Sequence, residues 1–322
     1  MATAFVFPGQ GSQAVGMGLA LANAYPQARQ VFDEVDDALA DKLTTIMWEG
    51  PADTLTLTHN AQPALLAVSI AALRVLEAEA GLNLARDAAF VAGHSLGEYS
   101  ALTAAGAFRL ADAARLVRLR GQAMQKAVPV GVGAMAALLG LEFDDAVAVA
   151  GAAAEGQICQ AANDNGGGQV VISGEKGAVE RAVELAKARG AKRAMMLPVS
   201  APFHCKLMQP AADVMAQALA EVVIKVPSVA VVANVIAAPV KEPQQILARL
   251  VEQVTGTVRW RESVTYMAEH GTKTFFEIGP GKVLGGLIKR IVDGSENLAI
   301  GAPQDVEAFQ RVRAQAPDFS AN

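Results

Sequence analysis

Ala88 to Ala92 is a short apolar run, and from Gly97 to Ala105 the pattern is helical. Between them stands Gly93-His94-Ser95-Leu96-Gly97, a Gly-x-Ser-x-Gly turn. Glycines at both ends permit the sharp reversal that feeds a strand directly into a helix, and that reversal projects the central hydroxyl from the end of the sheet. The chain therefore needs strand, tight turn and helix in succession around Ser95, which is α/β architecture. The serine also falls at a helix N-terminus, where the Leu96 N–H and the helix dipole can stabilise an oxyanion. The plain alternative is a glycine-rich turn carrying an ordinary surface serine.

Helical and strand patterns alternate along the rest of the 322 residues, predicting a largely parallel central sheet. Met1 to Phe7 carries no positive leader and meets Pro8-Gly9 after a short apolar run, so it reads as a first strand and not as a signal peptide. Residues 62–79, rich in Ala and Leu, suit a buried helix. Between 130 and 198 the rhythm becomes β-α-β-β-α-β, the order of a ferredoxin-like unit, with Asn163 to Gly168 as the turn between its middle strands. The expected organisation is a large α/β domain over 1–129 and 199–293, an inserted small domain over 130–198, and a C-terminal tail over 294–322.

The net charge of −5 is spread along the chain, with no basic stretch interleaved with aromatics, which argues against nucleic acid as a partner. The apolar stretches at 64–73 and 132–141 fall short of the ~18 residues of a membrane span. A cytoplasmic protein without a membrane partner is expected. Cys159 and Cys205 have neither metal-ligand nor redox spacing, so both read as reduced thiols, and no metal site is expected.

A serine at neutral pH needs a base, and there are four histidines. His270 stands before Gly271 at a helix end, where a histidine serves the C-terminal dipole. His59 reads as part of a capping turn. His94 adjoins Ser95, but neighbours on a tight elbow point apart, so it suits positioning better than proton transfer. His204 remains, in the proline-bracketed loop Pro198 to His204 that follows the inserted unit. A base far downstream of the serine agrees with hydrolase-like α/β enzymes. No Asp or Glu announces itself as a third member, so a neutral acceptor such as a backbone carbonyl could orient His204.

Five segments, in order, extend the case: Phe7-Pro8-Gly9-Gln10-Gly11-Ser12-Gln13, Gly93 to Tyr99, Arg120-Gly121, Phe203-His204 and Glu277-Ile278-Gly279-Pro280-Gly281. Together they resemble the malonyl-CoA:acyl carrier protein transacylase family over about residues 4 to 290, with the segment after Asp293 outside the resemblance. The resemblance implies a hydrolase-like large domain with an inserted ferredoxin-like domain. It implies Ser95 as nucleophile, His204 as base, the backbone N–H groups of Gln10 and Leu96 as oxyanion hole, and Arg120 as partner of the malonyl carboxylate. It also implies that the main-chain oxygen of Gln253 holds His204.

The implied substrate is malonyl-CoA and the implied partner an acyl carrier protein, with coenzyme A entering as a thioester substrate and no bound cofactor. Arg120 makes physical sense for such a substrate, because a guanidinium pairs with a free carboxylate through two parallel hydrogen bonds. Taken alone, any one of Arg115, Arg118 and Arg120 reads as a solvated helix charge. The rival readings are an acyltransferase of polyketide synthesis and a serine thioesterase or esterase, which passes the acyl group to water. Cys205, beside the base, lacks an activating neighbour and reads as inert.

Overall fold

The computed structural model describes residues 2–199 and 201–315. Among these, ten strands form two sheets. They are β1 (Ala2–Phe7), β2 (Phe90–Gly93), β3 (Gly133–Leu139), β4 (Cys159–Asp164), β5 (Gln169–Glu175), β6 (Arg193–Met196), β7 (Ala230–Ala233), β8 (Ala238–Val240), β9 (Thr272–Ile278) and β10 (Glu296–Ile300).

The larger sheet has the order β10-β9-β1-β2-β7-β8, and only the β7–β8 pair is antiparallel. Parallel neighbours require crossover connections, and the helices that supply them cover both faces. Alternation along β1 records this. Phe5 and Phe7 enter the core that holds the helix Thr58–Ala80, whereas Ala4 and Val6 pack on the opposite face with Trp260 and Leu284. The Thr58–Ala80 helix is long and apolar enough to cross a membrane, but 83% of its apolar window is buried within the protein. It is a central core helix, and it starts four residues before the predicted stretch.

The smaller sheet is antiparallel throughout, with the order β4-β5-β3-β6. Its helices, Phe143–Ala154 and Lys176–Ala188, complete the β-α-β-β-α-β order that the sequence predicts. Ala136, Leu138 and Ile172 pack in the core shared with these helices, while Met135 and Val171 belong to the main core and line its cavity. The turn between β4 and β5 carries three glycines at positive φ, Gly166, Gly167 and Gly168. The smaller sheet is tied at this end to the segment that leads into the helix Trp260–Glu269. Asp164 N–H donates to Val258 O and Val258 N–H to Ala162 O, both at 2.9 Å, and Arg261 Nε lies 2.8 Å from Asp164 Oδ2.

Residues 294–315 are not a tail. β10 pairs with β9 from Glu296↔Thr274 to Ile300↔Ile278. The helix Pro303–Gln315 then buries Val306 and Phe309, with the Phe309 ring 4.9 Å from that of Phe276. β10 is an edge strand on which only Ile300 is fully buried, so its apolar signal is weak in the sequence. The stretch 316–322 of the expected tail lies outside the described residues.

Candidate active site

β2 ends at Gly93 and the next helix runs Gly97–Ala104, so the turn between them is as tight as the motif requires. A Cβ on Gly93 would stand 1.9 Å from the Gly97 carbonyl carbon, and one on Gly97 would stand 2.3 Å from the Phe7 carbonyl oxygen. No side chain fits either place. Ser95 has a φ of 54°, a left-handed conformation that a non-glycine residue holds only when its surroundings impose it. Asn234 imposes it here. Its Oδ1 accepts the Ser95 N–H at 2.8 Å, and its Nδ2 donates to Gly93 O at 2.7 Å.

β1 pairs with β2 so that Phe7 lies opposite Gly93. The loop after β1 therefore leaves the same edge of the sheet as the elbow, where ligands of open α/β sheets bind. Gln10, Ser95, Leu96, Arg120 and His204 line one cavity of about 420 Å³ there. Gln10 is fixed by its side chain, whose Oε1 accepts the Thr58 hydroxyl at 2.9 Å.

His204 is 4% exposed and, like Ser95, sits at positive φ, 59°. Its Nε2 lies 2.7 Å from Ser95 Oγ, and its Nδ1 lies 2.9 Å from Gln253 O. A carbonyl only accepts, so Nδ1 carries the proton and Nε2 presents its lone pair to the serine hydroxyl. A backbone oxygen thus takes the place that an acid fills in a Ser-His-Asp triad. Burial, and then the Arg120 guanidinium, lower the His204 pKa from 6.5 to about 3.

The sign of this shift makes a testable statement. A lowered pKa keeps the imidazole neutral, and so able to accept a proton, well below pH 6.5. The kcat/KM of Ser95 acylation should stay level from pH 7.5 to about 5, where a base of ordinary pKa would lose roughly tenfold per unit below 6.5. A titration near 6.5 that follows His204 would contradict it. The same shift lowers folding stability as pH falls below 6.5, because the unfolded chain then binds a proton that the folded chain excludes.

Arg120 is 1% exposed, and its hydrogen-bond partners are all neutral. Nη1 donates to Gln62 Oε1 at 2.8 Å, while Nη2 donates to Gln253 Oε1 at 2.8 Å and to Ser95 Oγ at 3.2 Å. Nε has no partner. A buried cation with an unused donor beside the Ser95 hydroxyl suits an anionic ligand. Of the neighbouring arginines, Arg115 is the exposed charge expected and pairs with Asp112, whereas Arg118 is mostly buried and donates to Asn60 Oδ1 and Asp41.

All six residues singled out in the sequence converge here. Of the other histidines, His94 is turned away from the serine and bonds Asn165 Oδ1 at 2.9 Å. His270 caps its helix and stacks on Tyr266, and His59 lies within the first turn of Thr58–Ala80, not ahead of it. The sequence reading missed Gln62, Glu98 and Asn234. Each left a signal: Gln62 is an amide at the head of the apolar run that follows it, Asn234 follows the apolar strand β7, and Glu98 is a charge on a helix buried along its whole first turn. Burial pushes the Cys205 thiol pKa up, which keeps it unreactive.

A strained elbow serine bonded to a buried neutral imidazole, at the end of a mostly parallel sheet, defines an α/β protein of the serine–histidine acyl-transfer class. Residues 4–313 match the acyl transferase domain model. The malonyl CoA-acyl carrier protein transacylase of Escherichia coli K12 is 48% identical over 305 residues, 95% of this chain and 97% of that protein. The acyl-carrier-protein-S-malonyltransferase from Bartonella henselae superposes with a TM-score of 0.95 at 57% identity, covering 98% of this chain and 100% of that one. A malonyl-transacylase solved in complex with a type II PKS acyl-carrier protein gives 0.93 at 44%, covering 97% and 100%. The chain belongs to the malonyl-CoA:acyl carrier protein transacylase family. The family match runs past Asp293, in agreement with the place of β10 and the last helix in the fold.

Proposed function

We propose that the protein transfers a malonyl group from malonyl-CoA to the phosphopantetheine thiol of an acyl carrier protein, in the cytoplasm, supplying extender units for fatty acid synthesis. The observation that carries this reading is the buried Arg120 guanidinium, with neutral partners only, 3.2 Å from Ser95 Oγ. It suits an acyl group that ends in a carboxylate.

In the first half-reaction Ser95 Oγ attacks the thioester carbon while His204 Nε2 takes the hydroxyl proton. The N–H groups of Gln10 and Leu96 hold the tetrahedral oxyanion, each contributing about 3 kcal/mol. The C–S bond breaks, and coenzyme A leaves with the proton from Nε2. The carrier thiol then gives its proton to His204 and attacks the malonyl-serine ester, and the proton returns to Ser95 Oγ as that ester bond breaks. Gln253 O keeps the imidazole aligned in both halves. No metal or bound redox cofactor takes part in this scheme.

Intact-mass measurement after mixing with malonyl-CoA, acetyl-CoA and methylmalonyl-CoA separately tests the reading. Malonyl should add one acyl mass and pass it to the carrier protein, with acetyl adding far less. Release of free malonate without carrier, at the rate seen with it, would mark a thioesterase. A polyketide carrier is the second reading, because one structural neighbour is held with such a carrier.

A further inference from the structure

Gln253 is fully buried and touches Ser95, His204 and Arg120 at once. Its carbonyl holds His204, its Oε1 accepts Arg120 Nη2 at 2.8 Å, and its Nε2 donates to Ser95 O at 2.9 Å and Glu98 Oε2 at 2.8 Å. Glu98 Oε2 also accepts the Asn234 N–H at 3.1 Å, and Asn234 in turn fixes the Ser95 N–H. Glu98 is 1% exposed, belongs to the helix that follows the elbow, and touches neither Ser95 Oγ nor His204.

An amide has two orientations differing by a half turn. In the one observed, Nε2 faces acceptors and Oε1 faces a cation. In the other, an NH2 group would face the Arg120 guanidinium, donor against donor, while the amide oxygen would face the Glu98 carboxyl. Without Glu98, Nε2 would keep Ser95 O and a longer contact of 3.4 Å to Asn234 Oδ1, a weaker anchor than these with the 2.8 Å bond to Glu98.

We propose that Glu98 is a positioning residue for acyl-group selection: its Oε2 locks the Gln253 amide so that Oε1 holds Arg120 aimed at the acyl carboxylate. The inference rests on the reading of Arg120 as partner of the malonyl carboxylate. Glu98 acts on the arginine through a side chain, whereas His204 is held by backbone, so loss of the lock impairs selection more than acyl transfer itself. Burial pushes the Glu98 carboxyl up to about 7, against the Gln253 and Asn234 bonds that hold it down. A group half neutral near pH 7 works through its acceptor oxygen, a role the oxygen of a glutamine can fill.

The test is the ratio of kcat/KM for Ser95 acylation by malonyl-CoA and acetyl-CoA, both measured on one preparation, so that any unfolded fraction cancels. In Glu98→Ala the ratio should fall roughly 10- to 100-fold, mostly through malonyl-CoA, as expected when a buried polar contact is mismatched. Glu98→Gln should restore most of it. In a Gln253→Leu background, adding Glu98→Ala should change the ratio no further, since both act through one contact. If Glu98→Ala does not yield folded protein, Glu98→Asp, one methylene short of Gln253 Nε2, should show the same fall. An unchanged ratio in Glu98→Ala or Glu98→Asp, an equal loss of both substrates, or a glutamine variant as impaired as alanine overturns the proposal. Absence of malonyl preference in the unaltered protein is a different failure, that of the Arg120 reading itself.

Discussion

Ser95→Ala should abolish the covalent malonyl-enzyme and lower malonyl transfer by at least ~10³-fold, leaving the residual rate that an oxyanion hole and binding sustain without a nucleophile. The hydroxyl is the group that the site activates. It stands 2.7 Å from an imidazole whose other nitrogen is committed to a carbonyl, and Arg120 donates to the same oxygen. Cys205 cannot take over, because its thiol is fully buried and donates to Pro202 O at 3.2 Å. Intact mass after incubation with malonyl-CoA decides the matter, and a variant that still gains the malonyl mass would assign the nucleophile elsewhere.

The pairing of Ser95 with His204 could be read from the sequence because the chemistry proposed for it imposes a local signature. Gly93 and Gly97 are dictated by contacts within the elbow and with β1, so the spacing alone carries the geometry. His204 emerged by elimination among four histidines, and the structure gives each of the other three a different occupation. Arg120 and Gln253 had no such signature. Three arginines share one helix, and which of them is buried depends on Gln62, 58 positions away, and Gln253, 133 positions away. Resemblance to a family carried those two residues, and geometry supplies their reason. The partnership of Glu98 with Asn234 was illegible for the same cause: their bond crosses 136 residues. The segment after Asp293 misled the reading because an edge strand with one fully buried residue barely alternates. Its membership of the sheet is written in β9, which needed a neighbour.

Arg120→Ala should invert acyl selectivity. With the guanidinium in a desolvated pocket, its loss should cut kcat/KM for malonyl-CoA by ~10²- to 10⁴-fold, from the ~3 to 5 kcal/mol associated with leaving one partner of a buried pair unmatched. Acetyl-CoA ends in a methyl group that gains nothing from the arginine and leaves its charge unpaired, so removing that charge should leave acetyl transfer unchanged or improve it. Arg120→Lys should fall between, keeping the charge but losing the two-pronged geometry that also reaches Gln62 and Gln253. The ratio of the two substrates is the decisive quantity, because Arg120 Nη2 also donates to Ser95 Oγ and its loss there affects both reactions alike. If malonyl and acetyl transfer fall by the same factor, the arginine serves the serine and not the acyl group. The carboxylate preference would then have to lie in another part of the cavity.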